Sequence, residues 1–386
     1  MLEQFRHDLH QIPELGLDTQ KTADYIVSVL QELDCSISMP LSNAVIAYFD
    51  FGKEETMAFR SDMDALPIHE QNAFSFRSKN GCMHACGHDG HMSMLLGLAQ
   101  KISGRKDMKY NALLIFQPGE EDPGGAQLLC DAGIFGPYDI KGLFGFHIYP
   151  NRKTGEIVSC PGVMMAGACN LKVSVVGEAS HAAMRECGHD ALLAAAQVVS
   201  RCAKREQEMF DEDTFHLLHF GVFESGDAFN GEQEMFDEDT FHLLHFGVFE
   251  SGDAFNVVAN KAVLKGTIRY FDPKVFDAII EMLEEEFEMA EVQYGVSFSY
   301  QIDQHYPPLE NDERLLEKVK GAAEVGLLEQ PVLIAEDFAF YAKQVPAVFF
   351  FIGSGMDLPL HSDTFDFDEA LLSKGVSFYE KLLDNM

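Results

Sequence analysis

The sequence predicts an α/β protein with two domains, a mixed-sheet domain and a ferredoxin-like (βαββαβ) module inserted into it. Three observations lead to this fold class. The chain has 386 residues, which exceeds the size at which a single hydrophobic core stops growing. Short apolar runs alternate with helical segments near both ends of the chain. The middle third follows a different order, so we expect the module to occupy residues 168–303 and the first domain to occupy 1–167 and 304–386.

The first domain is predicted from an amphipathic helix at 21–33 and from four strand-like apolar runs. The runs lie at 57–59, 113–116, 143–146 and 348–352, and a helical segment at 92–101 separates the first two. Each run leads into residues that carry chemistry, namely Asp62 and Asp64, Glu120 and Glu121, His147, and, after a longer loop, His361. Open α/β sheets hold ligands beyond the carboxyl ends of their strands. We therefore expect these four segments to converge on one site.

The inserted module is predicted from six segments in the middle of the chain. Patterns typical of strands and helices follow one another as strand 171–176, helix 190–204, strands 241–249 and 262–270, helix 275–287 and strand 296–302. This order is that of a ferredoxin-like module, whose second strand lies at an edge of the sheet.

A direct repeat lies inside the module. Residues 206–230 recur without change as 232–256, with a period of 26 residues. Two copies are too few for a solenoid, so the identity indicates a recent duplication or a sequence artefact. Our hypothesis is that the second copy forms the native strand, because it runs directly into residues 257–260, and that 206–230 is the additional segment.

The charge of the chain excludes some classes of partner. The formal net charge is -34 and the isoelectric point is about 4.6, which argues against a surface for nucleic acid or anionic membrane. The first eight residues carry charges where a secretory signal has its apolar core. The longest strongly apolar stretch, at 345–352, is far too short to span a bilayer. We therefore expect a soluble, cytoplasmic protein.

The eight cysteines contain no CxxC pair, and we expect seven of them to be reduced, buried thiols. Cys86 differs because His84 and His88 flank it at a spacing of two, and His91 follows in the same cluster, HACGHDGH. Thiolate and neutral imidazole suit zinc or another borderline-soft divalent ion. Helical spacing would align the three histidines, whereas an extended loop would align Cys86 with His88. The sequence leaves both arrangements open.

Acidic residues at two further positions extend this prediction of a metal site. In QPGEED, at 117–122, adjacent side chains on an extended backbone point in opposite directions, so one glutamate is able to bind metal while its neighbour handles protons. Asp62 and Asp64 are two residues apart and face one way. A carboxylate is a common partner of a metal-bound imidazole, whose orientation it fixes.

Ten motifs in a fixed order resemble the aminoacylase and desuccinylase superfamily of two-metal metallopeptidases. The resemblance is to the amidohydrolase branch, which includes hippurate hydrolases, N-acetyl-diaminopimelate deacetylases and auxin-conjugate hydrolases, and it covers essentially the whole chain except one repeat copy. Gly119 stands where the family usually has alanine, and Met184 and Arg185 stand where a proline is common. The motifs are RHDLHQIPELG (6–16), SDMDALP (61–67), HACGHDGH (84–91), QPGEE (117–121), GFHIYP (145–150), SHAA (180–183), FNVVAN (255–260), GTIR (266–269), EDFAF (336–340) and LHSDTFDFDE (360–369).

The resemblance implies roles for thirteen residues. It implies two divalent ions, zinc, manganese, cobalt or nickel, with Glu120 as the general base and Asp62 and Asp64 as supporting catalytic residues, of which either is the closer partner. His84 and His91 are expected to support the site rather than bind metal. The implied metal ligands are Cys86, His88, Glu121, His147 and His361, and the implied substrate-binding residues are His181, Asn256 and Arg269.

The activity implied by the resemblance is hydrolysis of the amide bond of N-acyl amino acids, with N-acetyl or aromatic acyl groups. The products are a carboxylate and a free amino acid. A homodimer that forms through the inserted module is also implied, with the histidine of SHAA reaching the site of the neighbouring subunit. One alternative is a dipeptidase or aminopeptidase of the same superfamily. The other is a non-catalytic metal-binding dimerisation protein.

Overall fold

The computed structural model describes residues 1–41, 43–209, 242–252 and 254–386. The described chain divides into two compact units. The first comprises residues 1–164, 309–331 and 336–386, and the second comprises 165–308 and 332–335. The sequence places the limits of the inserted module at 168 and 303. In the second unit the first strand begins at Gly167 and the last continues to Tyr306, beyond the apolar pattern that ends at 302.

The first unit is built on a mixed sheet of eight strands in the order β1-β2-β4-β3-β5-β14-β6-β13. Strands β3, β4, β5 and β14 at its centre run parallel to one another, and antiparallel pairs join β2 to β4 and β6 to β14. The strands are β1 (Ser36–Ser38), β2 (Val45–Phe49), β3 (Glu55–Asp62), β4 (Asn111–Gln117), β5 (Asp139–Tyr149), β6 (Ile157–Ser159), β13 (Gly326–Leu327) and β14 (Ala347–Gly353). Strands β7 (Gly162–Met165) and β12 (Leu309–Asn311) form a separate two-stranded sheet.

Helices cover this sheet and complete the hydrophobic core. Every residue of β4 and of β14 is buried, which explains why both strands are apolar runs without alternation. Helix α3 is buried along almost its whole length, and α1 and α9 pack against it. The helices of this unit are α1 (Leu2–His10), α2 (Gln20–Leu30), α3 (His88–Ile102), α4 (Gly125–Asp131), α7 (Glu313–Ala322), α8 (Ala339–Ala342) and α9 (Ala370–Asn385).

The polar residues predicted to converge do follow the carboxyl ends of the central parallel strands. Asp62, the last residue of β3, lies opposite Gln117, the last residue of β4. His147 lies near the end of β5, opposite Phe351 of β14. The prediction that these parallel strands end in polar residues on the same side of the sheet is therefore confirmed.

The second unit has the predicted ferredoxin-like order. Its elements are β8 (Gly167–Val176), α5 (Ala191–Met209), β9 (His242–Ser251), β10 (Lys261–Tyr270), α6 (Pro273–Tyr294) and β11 (Ser297–Tyr306). The sheet order is β11-β8-β10-β9, with antiparallel pairing throughout. Residues from β8, β10, α5 and α6 form a separate hydrophobic core.

The second repeat copy supplies the edge strand of this sheet. Strand β9 lies within residues 232–256 and pairs with β10 on one side, as the sequence predicts for the second strand of such a module. In the first copy, residues 206–209 belong to α5, and 210–230 lie outside the described residues.

Two further expectations concern the whole chain. Within the described ranges, no helix combines the length and the apolar composition needed to cross a membrane. All eight cysteines are free thiols, as predicted. The expectation of burial is wrong for Cys187, which is exposed in a 3-10 helix at Ala182–Cys187, a segment without buried residues, and Cys35, Cys82 and Cys130 are only partly buried.

Candidate metal centre

The HACGHDGH cluster divides between a loop and a helix. Helix α3 begins at His88, so Cys86 lies in the preceding loop and His91 in the first turn. Gly87 has φ +80°, a left-handed conformation that an L side chain rarely adopts, and it turns the chain into the helix. The structure therefore contains part of each arrangement that the sequence left open. His88 and His91 share a helix, whereas Cys86 lies in a loop.

Two compact groups of potential metal ligands share Cys86. One contains Cys86, His88 and His147, and the other contains Cys86, Glu121 and His361, with the ligand atoms of each group within 4.8 Å of one another. His88 Nε2 lies 3.9 Å from Glu121 Oε1, and His361 Nε2 lies 4.0 Å from Glu121 Oε2. The structure thus brings together all five residues that the resemblance implies as ligands.

Unpaired atoms in this cluster fit a bound cation. His88 Nε2 and Glu121 Oε1 are buried and have no hydrogen-bond partner among the described residues, whereas buried polar atoms almost always have one. Their separation does not exceed two metal–ligand bonds of about 2.1 Å laid end to end. Divalent cations bound in this cluster would satisfy these atoms.

The protonation states of the cluster also suit a metal ion. Burial, together with the neighbouring His91, lowers the pKa of His147 to about 3, and burial holds the pKa of His88 well below its usual range. Both rings are therefore neutral near pH 7, as metal binding requires. His88 Nδ1 donates to the Asp64 carbonyl oxygen at 2.9 Å, and His147 Nδ1 donates to the Ile148 carbonyl oxygen at 2.7 Å, which leaves Nε2 of each ring for a ligand.

The thiol of Cys86 needs a cation in order to ionise in this place. Burial and the Glu121 and Glu120 carboxylates raise its pKa well above the usual range of a thiol. Thiolate is the form that binds metal, so binding must release this proton. A cation that also neutralises Glu121 removes the repulsion that opposes this ionisation.

Asp64 holds the glutamate pair in position. Its two carboxylate oxygens accept hydrogen bonds from the backbone N–H groups of Glu120 and Glu121, at 3.0 and 3.1 Å. Its carbonyl oxygen accepts from His88 and also from His84 Nδ1, at 3.1 Å. A single residue, Asp64, which lies just beyond the end of β3, therefore orients both the QPGEE loop and the histidine cluster.

Asp62 has different contacts. His91 Nδ1 donates to Asp62 Oδ1 at 2.6 Å, and His91 Nε2 accepts from the Ile148 N–H at 2.8 Å, so His91 has no nitrogen left for a metal ion. The other oxygen of Asp62 pairs with Arg60 at 2.8 Å. Burial alone would raise the pKa of Asp62, but His88, His91 and Arg60 bring it well below its usual range.

The sequence assigned no role to a buried ionic network that borders Glu120. The Arg60 side chain is fully buried and pairs with Glu336 at 3.0 Å and Asp337 at 2.8 Å, while Gln117 accepts from its Nε. Carboxylate oxygens of Glu120, Glu336 and Asp337 lie within 4.8 Å of one another. The acidic pair in EDFAF, inside an apolar segment, was the sequence signal for this network.

The position of Glu120 raises its pKa. Burial, Glu336 and Glu121 favour its neutral form, and Arg60 opposes them, with a net pKa well above the usual range of a carboxyl. A general base works best when its pKa lies near the working pH. A carboxyl in these surroundings is suited to take up and return a proton.

In the second unit, the structure brings two of the three implied substrate-binding residues together. The Ala182 N–H donates to the Asn256 carbonyl oxygen at 3.0 Å, and His181 bridges to Val257. The exposed ring of His181 accepts from the Ala183 N–H through Nδ1, at 3.1 Å, so the proton of the neutral ring is on Nε2. His181 can thus donate a hydrogen bond from Nε2.

Arg269 lies elsewhere in this unit. It is near the end of β10 and pairs in register with Ala168, whereas the segments that carry His181 and Asn256 continue from the opposite end, at Lys261. Burial lowers the pKa of Arg269, and its Nη1 group is buried without a hydrogen-bond partner among the described residues. A guanidinium with an unpartnered N–H group of this kind fits an anionic group from outside the chain.

Comparison with known proteins places these features in a family. Residues 58–385 match the profile of peptidase family M20/M25/M40. An uncharacterized hydrolase of Staphylococcus epidermidis is 35% identical over 395 residues, which cover 98% of this chain and 96% of that protein. The crystal structure of an aminohydrolase from methicillin-resistant Staphylococcus aureus has a TM-score of 0.86 and 27% identity, and covers 100% of this chain and 96% of its own.

A second solved structure comes from Bacillus subtilis. The protein YXEP, described as a dinuclear metal binding peptidase from the M20 family, has a TM-score of 0.80 and 26% identity, and covers 99% of this chain and 96% of its own. The resemblance inferred from the ten motifs is confirmed by these matches. The chain belongs to peptidase family M20/M25/M40, and it is a metal-dependent hydrolase.

Proposed function

We propose that this protein hydrolyses the amide bond of N-acyl amino acids and that it does so with two divalent ions. The observation that carries the proposal is the convergence of Cys86, His88, Glu121, His147 and His361 around unpaired buried atoms, with the Glu120 carboxyl beside them. The match to a dinuclear relative supports the number of ions. We propose the first group, with His88 and His147, and the second, with Glu121 and His361, as the two metal positions.

The reaction follows from the positions of the acidic groups. Bound divalent ions supply Lewis-acid polarisation of the scissile carbonyl and lower the pKa of the attacking water. Glu120 accepts the proton from that water as it attacks, and its raised pKa allows it to hold the proton. The same carboxyl then donates the proton to the departing amine. Asp64 keeps the Glu120 backbone in place during both transfers, and Asp62 fixes His91.

Substrate recognition is assigned to the second unit. We propose that Arg269 binds the α-carboxylate of the substrate, because its guanidinium has a buried N–H group without a hydrogen-bond partner and no acidic partner among the described residues. His181 is proposed to donate a hydrogen bond from Nε2 to the acyl carbonyl oxygen, and Asn256 is proposed to hold the α-carboxylate together with Arg269. Together they would recognise both ends of an N-acyl amino acid.

The arrangement within the second unit supports a homodimer. Arg269 and Lys261 are about 26 Å apart along β10, and the segments of His181 and Asn256 continue beyond Lys261. A small substrate cannot contact both ends of such a strand, so a site that uses all three residues would take His181 and Asn256 from a second copy. The surface beside the His181 segment also exposes large apolar side chains, as association surfaces often do, namely Met184, Leu192, Phe255 and Val257.

The first experiment combines metal analysis with a substrate panel. The purified protein is expected to contain two equivalents of divalent metal and to hydrolyse N-acetyl or N-benzoyl amino acids faster than dipeptides with a free amine. Faster cleavage of the dipeptides would support the dipeptidase alternative. A protein with two equivalents of metal that acts on neither class would exclude the proposal.

The second experiment tests the general base. Glu120→Gln is expected to retain its metal and to lose turnover by a factor of about 10²–10⁴, the usual contribution of general acid–base catalysis. The exposed Glu329, in the same unit, gives the matched control Glu329→Gln, which should keep wild-type turnover. Near-normal turnover in Glu120→Gln would assign the base to another residue.

The third experiment tests the shared site. His181→Ala and Arg269→Ala, each nearly inactive alone, are unfolded together and refolded as a mixture. Random association should restore about a quarter of wild-type activity, because each mixed dimer has one intact site if the residues come from two chains. Absence of recovery from a refolded dimeric mixture would mean that each site takes its residues from one chain.

A further inference from the structure

The RHDLHQIPELG motif at the N-terminus has no role in the proposed reaction, yet its Arg6 lies in the interior. The Arg6 side chain is only 2% exposed. Its Nε donates to Asp89 at 3.3 Å, and its Nη1 donates to the Phe367 carbonyl oxygen at 3.3 Å and to Glu369 at 3.0 Å. Its Nη2 pairs with Asp366, and the guanidinium stacks 3.6 Å from the centre of the Phe367 ring.

These contacts join two segments that carry metal ligands of the proposed centre. Asp89 follows His88 at the start of α3, whereas Phe367, Asp366 and Glu369 belong to the segment that follows His361. Arg6 itself belongs to α1. One side chain from a third element therefore holds the two ligand-bearing segments against each other.

The segment that follows His361 also packs closely on the start of α3. A Cβ atom at Gly90 would lie 2.6 Å from Phe367 Cζ, and a Cβ atom at Gly87 would lie 3.5 Å from Phe365 Cε1. Both phenylalanine side chains are buried. The glycines thus permit an approach that any other residue at position 90 would obstruct.

His361 depends on this packing more than the other ligands do. Its side chain is 49% exposed, and its backbone has φ +64°, which a residue other than glycine adopts only when its surroundings impose it. The backbone N–H of His361 donates to the Ala85 carbonyl oxygen at 3.1 Å. His88 and His147, in contrast, are buried in α3 and β5 and are each fixed by a hydrogen bond from Nδ1.

We infer that Arg6 is a positioning residue for His361 and that it sets the metal affinity of the Cys86, Glu121 and His361 position. The inference rests on the proposed two-metal centre. We expect the Cys86, His88 and His147 position to depend on Arg6 much less, because the 2.9 Å hydrogen bond from His10 to Asp89 does not involve Arg6. Arg6 acts on the chemistry only through the placement of this ligand.

The test measures metal occupancy rather than turnover. Wild type, Arg6→Met, Arg6→Lys and His361→Ala are equilibrated as full-length holoenzyme with buffered free Zn²⁺, and bound zinc per chain is measured by mass spectrometry across the titration. We expect two sites in wild type and one in His361→Ala. In Arg6→Met the site that His361→Ala abolishes should lose about 10- to 100-fold in affinity, the usual effect of removing an outer residue that orients a metal ligand, and the other site should be unchanged.

Milder variants keep the inference testable if Arg6→Met does not fold. Asp366 and Glu369 are about a quarter exposed, so Asp366→Asn with Glu369→Gln removes two partners of Arg6 and leaves its pair with Asp89. This double variant should weaken the same site, and Arg6→Lys should restore part of the affinity because it keeps the charge without the planar fork. Asp363→Asn, an exposed residue of the same segment, is the matched control and should bind as wild type does.

The outcomes separate this inference from the proposed function. Two wild-type sites with unchanged affinities in the Arg6 and Asp366/Glu369 variants would overturn the inference and leave the two-metal centre intact. An equal loss at both sites would also overturn it, since Arg6 would then support the whole unit. A wild-type protein with fewer than two sites would instead contradict the proposed function.

Discussion

The stability of the first unit should depend on the protonation of His10, which lies between two carboxylates in the interior. His10 is 1% exposed. Its Nδ1 lies 2.9 Å from Asp89 and its Nε2 lies 3.1 Å from Glu70. Arg6 shares Asp89 with it, and the ring of His84 lies 6.3 Å away. Burial alone would lower the pKa of His10, but Asp89 and Glu70 raise it to about 9.

The direction and size of the effect follow from this pKa. In the unfolded chain the pKa of a histidine is about 6.5, so the folded state holds this proton more tightly. The stabilisation is therefore complete below about pH 6.5 and is lost as the pH rises through about 9. A difference of about 2.5 pKa units corresponds to about 3 kcal/mol. That is a large part of the stability of a typical domain.

The assay compares urea unfolding of wild type and His10→Gln in metal-replete buffer at about pH 6 and about pH 10. The free-energy gap between the two proteins should shrink by about 3 kcal/mol at the higher pH, because only wild type has this proton to lose. His69→Gln removes an exposed histidine of the same unit and should leave the pH dependence as in wild type. A gap of the same size at both pH values would refute the assignment of the raised pKa to His10.

Three further predictions concern the buried charges, the metal and the packing of α3. Arg60→Met should destabilise the protein by about 3–5 kcal/mol, measured by urea unfolding, since it leaves buried carboxylates unpaired. Arg105→Met should cost less than about 1 kcal/mol, because the ion pairs of Arg105 are exposed. Equal losses of stability in Arg60→Met and Arg105→Met would contradict this reasoning. Chelation of the metal should lower the melting temperature, since a site at 100 times its Kd contributes about 2.7 kcal/mol, and an unchanged melting temperature would count against a metal centre. Gly90→Ala should destabilise by about 1–3 kcal/mol through its clash with Phe367, whereas Gly321→Ala, in open space on α7, should stabilise by up to about 1 kcal/mol, and the reverse order in thermal unfolding would refute the packing argument.

The parts of the fold that could be predicted are those that give a local pattern of apolar residues in the sequence. The apolar runs that became β3, β4, β5 and β14 were visible because buried parallel strands need uninterrupted apolar residues. The inserted module could be predicted because apolar residues recur at different intervals in strands and in helices. The ends of elements were less certain, since α2 ends at Leu30 rather than at 33, and β11 continues to Tyr306 with alternating exposure that carries no strong apolar signal.

The candidate site was predicted where its residues form motifs and missed where single residues meet across the chain. HACGHDGH and QPGEE indicate chemistry by their own composition. Arg60, in contrast, acquires its role from Asp337, which is 277 positions away, and Arg6 acquires its role from a segment about 360 positions away. A lone arginine in a sequence has many structural roles, so no local pattern marks these two. The separate functions of Asp62 and Asp64 were open for the same reason, because they are distinguished only by their partners, His91 and the QPGEE backbone.

The charges around the site explain why it needs both the ion pairs of Arg60 and bound divalent cations. Asp62, Glu336 and Asp337 surround the guanidinium of Arg60, so one cation of the chain itself offsets part of their charge. Glu121 and the thiol of Cys86 pair with no arginine or lysine in the described chain, and burial raises the pKa of each. Divalent cations would neutralise this second set and would release the Cys86 proton as they bind, so metal binding and stability are linked. Glu120 lies between the two sets, close enough to Glu336 to keep a raised pKa and adjacent in sequence to Glu121. A carboxyl whose neutral form is favoured in this way can accept a proton during the reaction, which is what a general base does.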